Sequence, residues 1–235
     1  MLQGPTSPPE LPGLPLTGVA DGAPWQHVLP GCQAVVVYAS GHELWDLLAQ
    51  RIRTDPDFAQ QPDPIDTLVA ETIARLPSAL GGRWVRCAND ASPQLDFRTL
   101  AKQAGLGWPS RLGLLLHPER GPWIGLRAAW FTTAALTITG PLSGSGPCRG
   151  CAAPCAMACP AAALPPSGWR ADRCLPHQAQ TRDCEGGCLA RSACPVGQDA
   201  AYTAAQHRYH HHPASRRQVL DELRALVHRL APRSR

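Results

Sequence analysis

The chain has 235 residues, of which 44% are hydrophobic and 17% are charged, and its formal net charge is +4. The apolar content is too high for a disordered chain, and the length suits one domain with a smaller module. No apolar run reaches the roughly 18–20 residues that a membrane-spanning helix needs. The unusual counts are ten cysteines and 25 prolines.

The basic residues are scattered along the chain, and all of them except Lys102 are arginines. A nucleic-acid-binding face is typically a clustered basic patch with aromatic residues between the charges, so we expect neither a nucleic-acid partner nor a membrane partner. The start of the chain lacks the basic segment of a signal peptide. Without export, cysteines bind metals more often than they form disulfides, and we expect a cytoplasmic protein.

The first part of the chain predicts alternating strands and helices. Residues 1–24 are rich in proline and predict a mobile leader. The β-branched run Cys32–Ser40 predicts a buried strand, and the leucines that follow Gly41 recur at helical spacing. A second helix is predicted over residues 64–80, with Asp63 as its cap.

Further elements follow up to residue 140. Residues 82–88 predict a strand, and residues 97–107 predict a helix that ends at glycines. Two more strands, over residues 112–118 and 121–133, flank a turn. Strands that alternate with helices indicate an α/β or α+β sandwich over residues 25–140.

The remaining chain divides into two segments. Residues 141–200 predict a cysteine-rich module. Residues 201–235 predict a C-terminal amphipathic helix over Ser215–Leu230 that packs on the core. The run of three histidines at residues 210–212 is expected to be a solvated loop, because three consecutive side chains cannot all face one metal ion.

Eight cysteines lie in a segment with almost no large apolar residues, which cannot bury a core of its own. Two runs each end in Cys-Pro, and three cysteines at short spacing with a fourth before proline is the arrangement of bacterial ferredoxins, whose fourth cysteine can ligate the other cluster. The gaps are not standard, since three residues separate Cys151 from Cys155. The eight are Cys148, Cys151, Cys155, Cys159, Cys174, Cys184, Cys188 and Cys194.

Zinc and disulfides are the alternatives for these cysteines. A structural zinc site needs four ligands, so eight cysteines exceed that need, and disulfides conflict with the absence of a signal peptide. Cys32 and Cys87 fall in predicted strands, where we expect buried and inert thiols.

The segment LAKQAGLGWPSRLGLLLHPERGPWIGL (Leu100–Leu126) resembles the segment that precedes the clusters in epoxyqueuosine reductases and corrinoid reductive dehalogenases. The segments LPGCQAVVVYAS, DPIDTLVAETIARLPSAL and RYHHHPASRRQVL are similar to parts of the CblC-type cobalamin-processing protein. Together these resemblances cover roughly residues 28–228. They imply a nitroreductase-like sandwich with a C-terminal ferredoxin-like module, two [4Fe–4S] clusters and a base-off cobalamin.

The resemblance also implies roles for individual residues. One cluster would be held by Cys148, Cys151, Cys155 and Cys194, and the other by Cys159, Cys174, Cys184 and Cys188. The residues matched to corrinoid binding are Gly105, Gly107, Trp108, Arg111 and Gly121. Asp90 matches the general acid of the epoxyqueuosine reductases, and a polar turn with Asn89 and Ser92 is the alternative for that aspartate.

The sequence therefore predicts an iron–sulfur oxidoreductase that relays electrons to a base-off corrinoid, for reductive cleavage or ligand removal. Its expected partners are the corrinoid, a small-molecule substrate and an electron donor such as a flavodoxin or a ferredoxin. The alternatives are a CblC-like cobalamin-processing or trafficking protein, a non-enzymatic ferredoxin-like electron carrier, and a zinc-binding module.

Overall fold

The computed structural model describes residues 6–87 and 95–230. The strands are β1 (Leu16–Asp21), β2 (Ala34–Ser40), β3 (Arg83–Arg86), β4 (Trp108–Pro109), β5 (Leu115–Leu116) and β6 (Gly125–Thr132). The helices are α1 (Glu43–Thr54), α2 (Pro64–Ala74), α3 (Phe97–Gln103), α4 (Pro154–Met157), α5 (Ala171–Gln180), α6 (Leu189–Ser192), α7 (Ala204–His211) and α8 (Pro213–Leu230). None of the helices among these residues is long and apolar enough to cross a membrane.

Four strands form an antiparallel sheet in the order β1-β2-β6-β3, and β4 pairs with β5 in a small separate ladder. Every residue of β2 is buried. Alternate side chains of a strand point to opposite faces, so Val36 and Tyr38 join one core cluster while Val35 and Val37 join another. The predicted strand at residues 32–40 is therefore a central strand with both faces covered.

Helices cover the two faces of the sheet unequally. Apolar residues of α1, α2, α7 and α8 pack in the cluster on one face. The cluster on the other face contains residues of α3, and α3 also contacts β1 and β6. The architecture is a helix–sheet–helix sandwich, which agrees with the predicted α+β class.

The mobile leader predicted for residues 1–24 is wrong where the structure describes it. Leu16–Asp21 forms β1 and pairs with β2 along its whole length. Leu11 and Leu14 are also buried. The prolines precede the strand, and Gly18 lets the backbone approach Ala104, whose carbonyl oxygen would lie 2.2 Å from an added Cβ. A proline-rich composition therefore did not prevent local burial.

A predicted helix and a predicted strand are shorter in the structure, and a predicted cap is absent. The helix predicted to reach residue 80 ends at Ala74, because Pro77 disfavours helical geometry in the residue before it, and a 3₁₀ turn follows at Ser78–Leu80. Asp63 precedes α2 but makes no capping hydrogen bond with its side chain. The strand predicted over residues 112–118 is reduced to the two residues of β5.

The histidine run is not a solvated loop. His210 and His211 lie in α7, and His212 caps the carboxyl end of that helix. The side chain of Thr203 accepts a hydrogen bond from the Gln206 N–H and starts the helix. Packing of α7 against α8 and the sheet overrides the weak helical preference of consecutive histidines.

Candidate metal centre

The cysteine module is built from three short helices joined by turns. α4 packs against α6, and this contact joins the first cysteine run to the second. The apolar cluster at the contact is small and is formed by Cys155, Leu164 and Ala190. All ten cysteines of the chain are free thiols. The module thus places eight thiols together with little apolar support, as the composition predicted.

The first group of thiols contains three members from the first run and one from the second. Burial raises the pKa of the Cys194 thiol, and the proximity of Cys155, Cys148 and Cys151 raises it further. Burial also raises the pKa of Cys155, as do the nearby Cys148 and Cys151. These mutual effects require the four thiols to be near neighbours.

The second group has the reverse composition, with one member from the first run. Burial and the neighbouring Cys188 raise the pKa of Cys184, and Cys159 and Cys174 add to the rise. Burial likewise raises the pKa of Cys188, with a contribution from Cys174. The electrostatic interactions thus link thiols within each of the two sets of four that the family resemblance implies, and the assignment of those sets as cluster ligands stays a prediction.

Hydrogen-bond donors approach several of these sulfurs. The N–H of Ala153 donates to Cys151 Sγ, and the N–H of Ala163 donates to Cys159 Sγ, both at 3.4 Å. Gln178 Nε2 donates to Cys174 Sγ at 3.4 Å. Such donors stabilise thiolate charge and are one of the ways in which proteins set the potential of iron–sulfur clusters.

The backbone is unusual at two points of the first run. Ala153 has φ 57° and Ala162 has φ 46°, a left-handed region that residues other than glycine rarely adopt. Ala153 itself donates its N–H to Cys151 Sγ. Ala162 directly precedes Ala163, whose N–H donates to Cys159 Sγ. Strain of this kind persists where the surroundings fix the local geometry.

A cavity of about 290 Å³ lies beside the second group. Cys159, Cys174 and Cys188 line it, together with Arg191 and His210. Among the described residues, no three His, Cys, Asp or Glu side chains converge closely enough to hold a single metal ion. A [4Fe–4S] cluster takes one thiolate on each of four irons, so it suits thiols that surround a cavity better than a single ion does.

Glycines fix the loop that carries Cys194 against the sandwich. A Cβ on Gly121 would lie 2.0 Å from the carbonyl oxygen of Val196, and one on Gly197 would lie 2.2 Å from the carbonyl carbon of Arg120. Gly121 has φ 54° and Gly197 has φ 69°. The two backbones therefore touch where no side chain fits, just after the Cys194-Pro195 pair.

The five residues matched to corrinoid binding do not all lie on one open surface. A Cβ on Gly105 would meet Gly140 at 3.0 Å, and one on Gly107 would meet the Leu116 carbonyl oxygen at 2.5 Å. At these two glycines, as at Gly121, neighbouring backbone fills the space that a side chain would need. The three are therefore explained by packing inside the protein.

The other two residues retain accessible side chains. Trp108 is half-buried and donates its Nε1 hydrogen to the Ser143 carbonyl oxygen at 3.2 Å. Arg111 is half-buried and lies near Cys155, whose pKa its charge lowers against the larger effect of burial. The residue matched to a general acid, Asp90, lies outside the described residues.

Sequence reasoning missed three residues that border the second group. His207 Nε2 accepts a hydrogen bond from the Cys188 N–H at 3.0 Å, and burial lowers the pKa of His207 to about 4. Arg191 and His210 line the cavity. The sequence signal that could have found Arg191 is its position three residues after Cys188. The histidines carried no local signal, because their helix is set by tertiary packing.

The remaining cysteines are separate from the two groups. Cys32 is buried, and burial raises the pKa of its thiol. Cys87 is half-buried directly after β3, and burial raises its pKa as well. Neither thiol shares an interaction with the eight, so both serve as controls for experiments on the module.

No protein-family model matches the chain. Two relatives named epoxyqueuosine reductase are similar in sequence. The protein from Synechococcus sp. strain CC9605 is 35% identical over 116 residues, which are 43% of this chain and 34% of the relative. The protein from Synechococcus sp. strain RCC307 is 28% identical over 193 residues, which are 77% of this chain and 53% of the relative. The chain thus spans about half the length of these relatives, or less.

Solved structures share the fold. The reductive dehalogenase NpRdhA, in complex with 3-bromo-4-hydroxybenzoic acid, matches 92% of this chain and 34% of its own, with a TM-score of 0.56 and 16% identity. A selenomethionine-labelled epoxyqueuosine reductase matches 86% of this chain and 66% of its own, with a TM-score of 0.51 and 16% identity.

The chain therefore shares its fold with solved structures of reductive dehalogenases and epoxyqueuosine reductases. Among these, its sequence resembles the epoxyqueuosine reductases, which are oxidoreductases, and the predicted resemblance is confirmed. The predicted similarity to the CblC-type protein stays a prediction.

The expectation that nucleic acid is not a partner stays a prediction. It rested on the scattered arginines, and a scattered sequence pattern does not exclude a charged face in the folded chain.

Proposed function

We propose that the chain is an iron–sulfur oxidoreductase that passes electrons to a base-off corrinoid, for reductive cleavage or ligand removal. The observation that supports the proposal is that Cys194 interacts electrostatically with Cys148, Cys151 and Cys155, whereas Cys184 interacts with Cys159, Cys174 and Cys188. This exchange of ligands is the arrangement of two-cluster ferredoxins. The sequence relatives are oxidoreductases, which supports the same function.

In this proposal each set holds one [4Fe–4S] cluster. Cys148, Cys151, Cys155 and Cys194 hold the first, and Cys159, Cys174, Cys184 and Cys188 hold the second. The clusters supply single-electron transfer, and the corrinoid supplies the reductive chemistry. The chain binds the irons through thiolates, donates hydrogen bonds to their sulfurs, and buries Cys155 and Cys194 away from water.

The corrinoid contact is assigned to Trp108 and Arg111, since the matched glycines are used in packing. Arg111 lies beside the first group, where a permanent positive charge suits an amide or phosphate of a corrinoid tail. Trp108 offers a flat apolar face. Asp90 is proposed as the general acid on the resemblance alone. The substrate that receives the electrons is proposed to be a small molecule.

An electron donor such as a flavodoxin or ferredoxin is proposed to dock on the module. Met157 of α4 is 77% exposed and Leu189 of α6 is 45% exposed. These apolar side chains lie on the two helices whose packing joins the cysteine groups. Exposed apolar residues next to a redox site suit a transient contact with a carrier protein. We propose that this relay operates in the cytoplasm.

Metal and sulfide analysis after anaerobic purification tests the cluster assignment. We expect about eight irons and about eight sulfides per chain, because each cubane cluster carries four of each. One zinc without sulfide would contradict the proposal. Cys87→Ala is the matched control, since that thiol lies outside both groups, and it should keep the full iron content.

A spectroscopic titration with cobalamin tests the corrinoid assignment. We expect a base-off spectrum at micromolar protein, and Arg111→Gln should weaken the binding about tenfold, which corresponds to the loss of one charge-assisted contact. Arg53→Gln, on the exposed side of α1, is the control and should bind normally. Absence of any spectral shift would leave a non-enzymatic electron carrier, which the packed glycines favour as the second candidate.

A further experiment tests whether a nucleic acid is the substrate. The relatives are named for a modified nucleoside, so a tRNA stem loop that carries epoxyqueuosine is the substrate to test beside small molecules. Reduction of that stem loop by the cluster-loaded protein would identify an RNA substrate. Corrinoid reduction without turnover of the stem loop would support the small-molecule assignment.

A further inference from the structure

Arg191 is a buried charge at the centre of the module. Its residue is 9% exposed, and it lies on α6, three positions after Cys188. The guanidinium carbon lies 4.9 Å from the ring centroid of Trp123 and 4.6 Å from that of Tyr202. The charged group is thus held between two aromatic rings, away from bulk water.

The polar contacts of Arg191 do not neutralise its charge. Nη2 donates to the Pro122 carbonyl oxygen at 2.5 Å, while Nε is buried without an acceptor. Within residues 6–87 and 95–230, no aspartate or glutamate forms an ion pair with Arg191. A buried charge without an ionic partner is strongly unfavourable, so an anion bound close to Arg191 would be stabilised by it.

The second cysteine group lies on the same cavity as Arg191. Cys159, Cys174 and Cys188 line that cavity together with the arginine. The charge of Arg191 lowers the pKa of Cys188 against the larger opposing effect of burial, which places the guanidinium within electrostatic range of that thiol. An oxidised [4Fe–4S] cluster with four thiolates carries a net charge of about −2. A cluster held by these cysteines would therefore place negative charge in the cavity that Arg191 lines.

We propose that Arg191 is the buried counter-charge of the cluster held by Cys159, Cys174, Cys184 and Cys188, and that it raises the reduction potential of that cluster. The inference rests on the proposed function. Adding an electron makes the cluster more negative, so a nearby fixed positive charge favours the reduced form. Arg191 is a positioning and electrostatic residue, since its contacts in the structure are with Trp123, Tyr202 and Pro122.

A purely structural role is the competing explanation. The stack between Trp123 and Tyr202 and the hydrogen bond to Pro122 join α6 to the segment before β6. In that case the shape of the guanidinium would matter and its charge would not. Substitutions that separate charge from shape can therefore decide between the two roles.

Redox titration of the cluster-loaded protein, followed by electron paramagnetic resonance, is the direct test. Arg191→Gln should shift the midpoint potential of the second cluster to a more negative value and leave the first cluster unchanged. Arg191→Lys keeps the charge but loses the planar fork, and its potential should stay near the wild-type value. The control is Arg51→Gln on α1. It removes an arginine that forms ion pairs with Asp55 and Glu71, and it should change neither potential.

Release of iron to a chelator from the same holoprotein is the second measurement. Arg191→Gln should lose the irons of the second cluster several-fold faster than wild type, while Arg191→Lys should resemble wild type. Equal potentials and equal release in wild type and Arg191→Gln would overturn the inference. So would equal damage in the Gln and Lys variants, which is the structural outcome.

The outcomes separate this inference from the proposed function. If Arg191→Gln does not fold, Arg191→Lys decides, since a wild-type potential supports the charge role and a shifted one overturns it. A wild-type protein without iron and sulfide would instead contradict the proposed function itself. Two clusters in the wild type, with no response to Arg191 variants, would remove the inference alone.

Discussion

Gly121 lies where the sandwich meets the loop that follows Cys194. The family resemblance matches this glycine to corrinoid binding, but the structure gives it a packing role against Val196. Only a residue without a Cβ permits that approach at φ 54°. The position of one glycine therefore affects the loop that carries Cys194, a proposed cluster ligand.

Gly121→Ala should displace the Cys194 loop. We expect a loss of about 2–3 kcal/mol in the free energy of unfolding, because left-handed strain adds to a clash with backbone, and a reduced iron content. Urea unfolding and iron analysis measure the two effects. Gly144→Ala is the control, since Gly144 also has a positive φ, at 78°, but has no atom within 4 Å of an added Cβ, and the substitution should cost only about 1 kcal/mol. Equal losses in both variants would refute the packing role.

At the scale of elements, α3 has a well-formed cap. Asp96 accepts hydrogen bonds from the N–H groups of Arg98 and Thr99 and from the Thr99 hydroxyl. These bonds satisfy groups that the first turn of a helix leaves without partners. α3 leads into the turn at residues 105–107. The cap at the start of α3 therefore helps to fix the position of Trp108 and Arg111, which follow that turn.

Asp96→Ala should cost about 1 kcal/mol of stability at neutral pH. The Thr99 hydroxyl, with the N–H groups of Thr99 and Arg98, holds the pKa of the Asp96 carboxyl below its usual range. A lowered folded-state pKa stabilises the protein above the unfolded pKa, and this contribution is lost as the pH falls below about 4. Urea unfolding at pH 7 and near pH 3 should show the difference between wild type and variant shrinking.

Asp63 provides the matched control for that cap. Its side chain precedes α2 without capping it, and its carboxylate accepts from Arg216 Nη1 at 3.3 Å in an exposed ion pair. Such pairs contribute about 0.2–1 kcal/mol. A larger loss in Asp63→Ala than in Asp96→Ala would contradict the capping explanation.

Elements with strong periodicity were predictable. β2, α1 and α8 have runs of apolar residues at the spacing of their own geometry, and the structure has all three. β1 could not be predicted from a proline-rich segment, because its stability comes from pairing with β2. α7 was not predicted for the same reason, because its histidine-rich segment is stabilised as a helix by packing against other elements such as α8.

The candidate site was predictable in part. Cysteine spacing indicated the candidate thiols and the resemblance supplied their expected grouping, which stays a prediction. His207 and the packing of the glycines left no such signature, and Arg191 left only its position three residues after Cys188. Their roles depend on which segments fold against each other, and that information is not contained in local spacing.

At the scale of the whole molecule, a small sandwich carries a module that has almost no core. The module contacts the sandwich through Arg191, the Gly121–Gly197 approach and the bond from the Cys188 N–H to His207. Bound clusters would supply the stabilisation that apolar burial does not, as metal binding does in other small metal-stabilised modules. Removal of iron should therefore lower the stability of residues 148–194 before that of the sheet, which hydrogen exchange can measure.

The central claim is that each cluster takes one cysteine from the opposite run, and paired alanine substitutions test it most directly. We predict that Cys194→Ala keeps about four irons and loses the same paramagnetic signal as Cys151→Ala, although the two residues belong to different runs. Cys159→Ala should match Cys184→Ala in the same way, and Cys87→Ala should match wild type. A Cys194→Ala spectrum that matches Cys184→Ala would contradict the account.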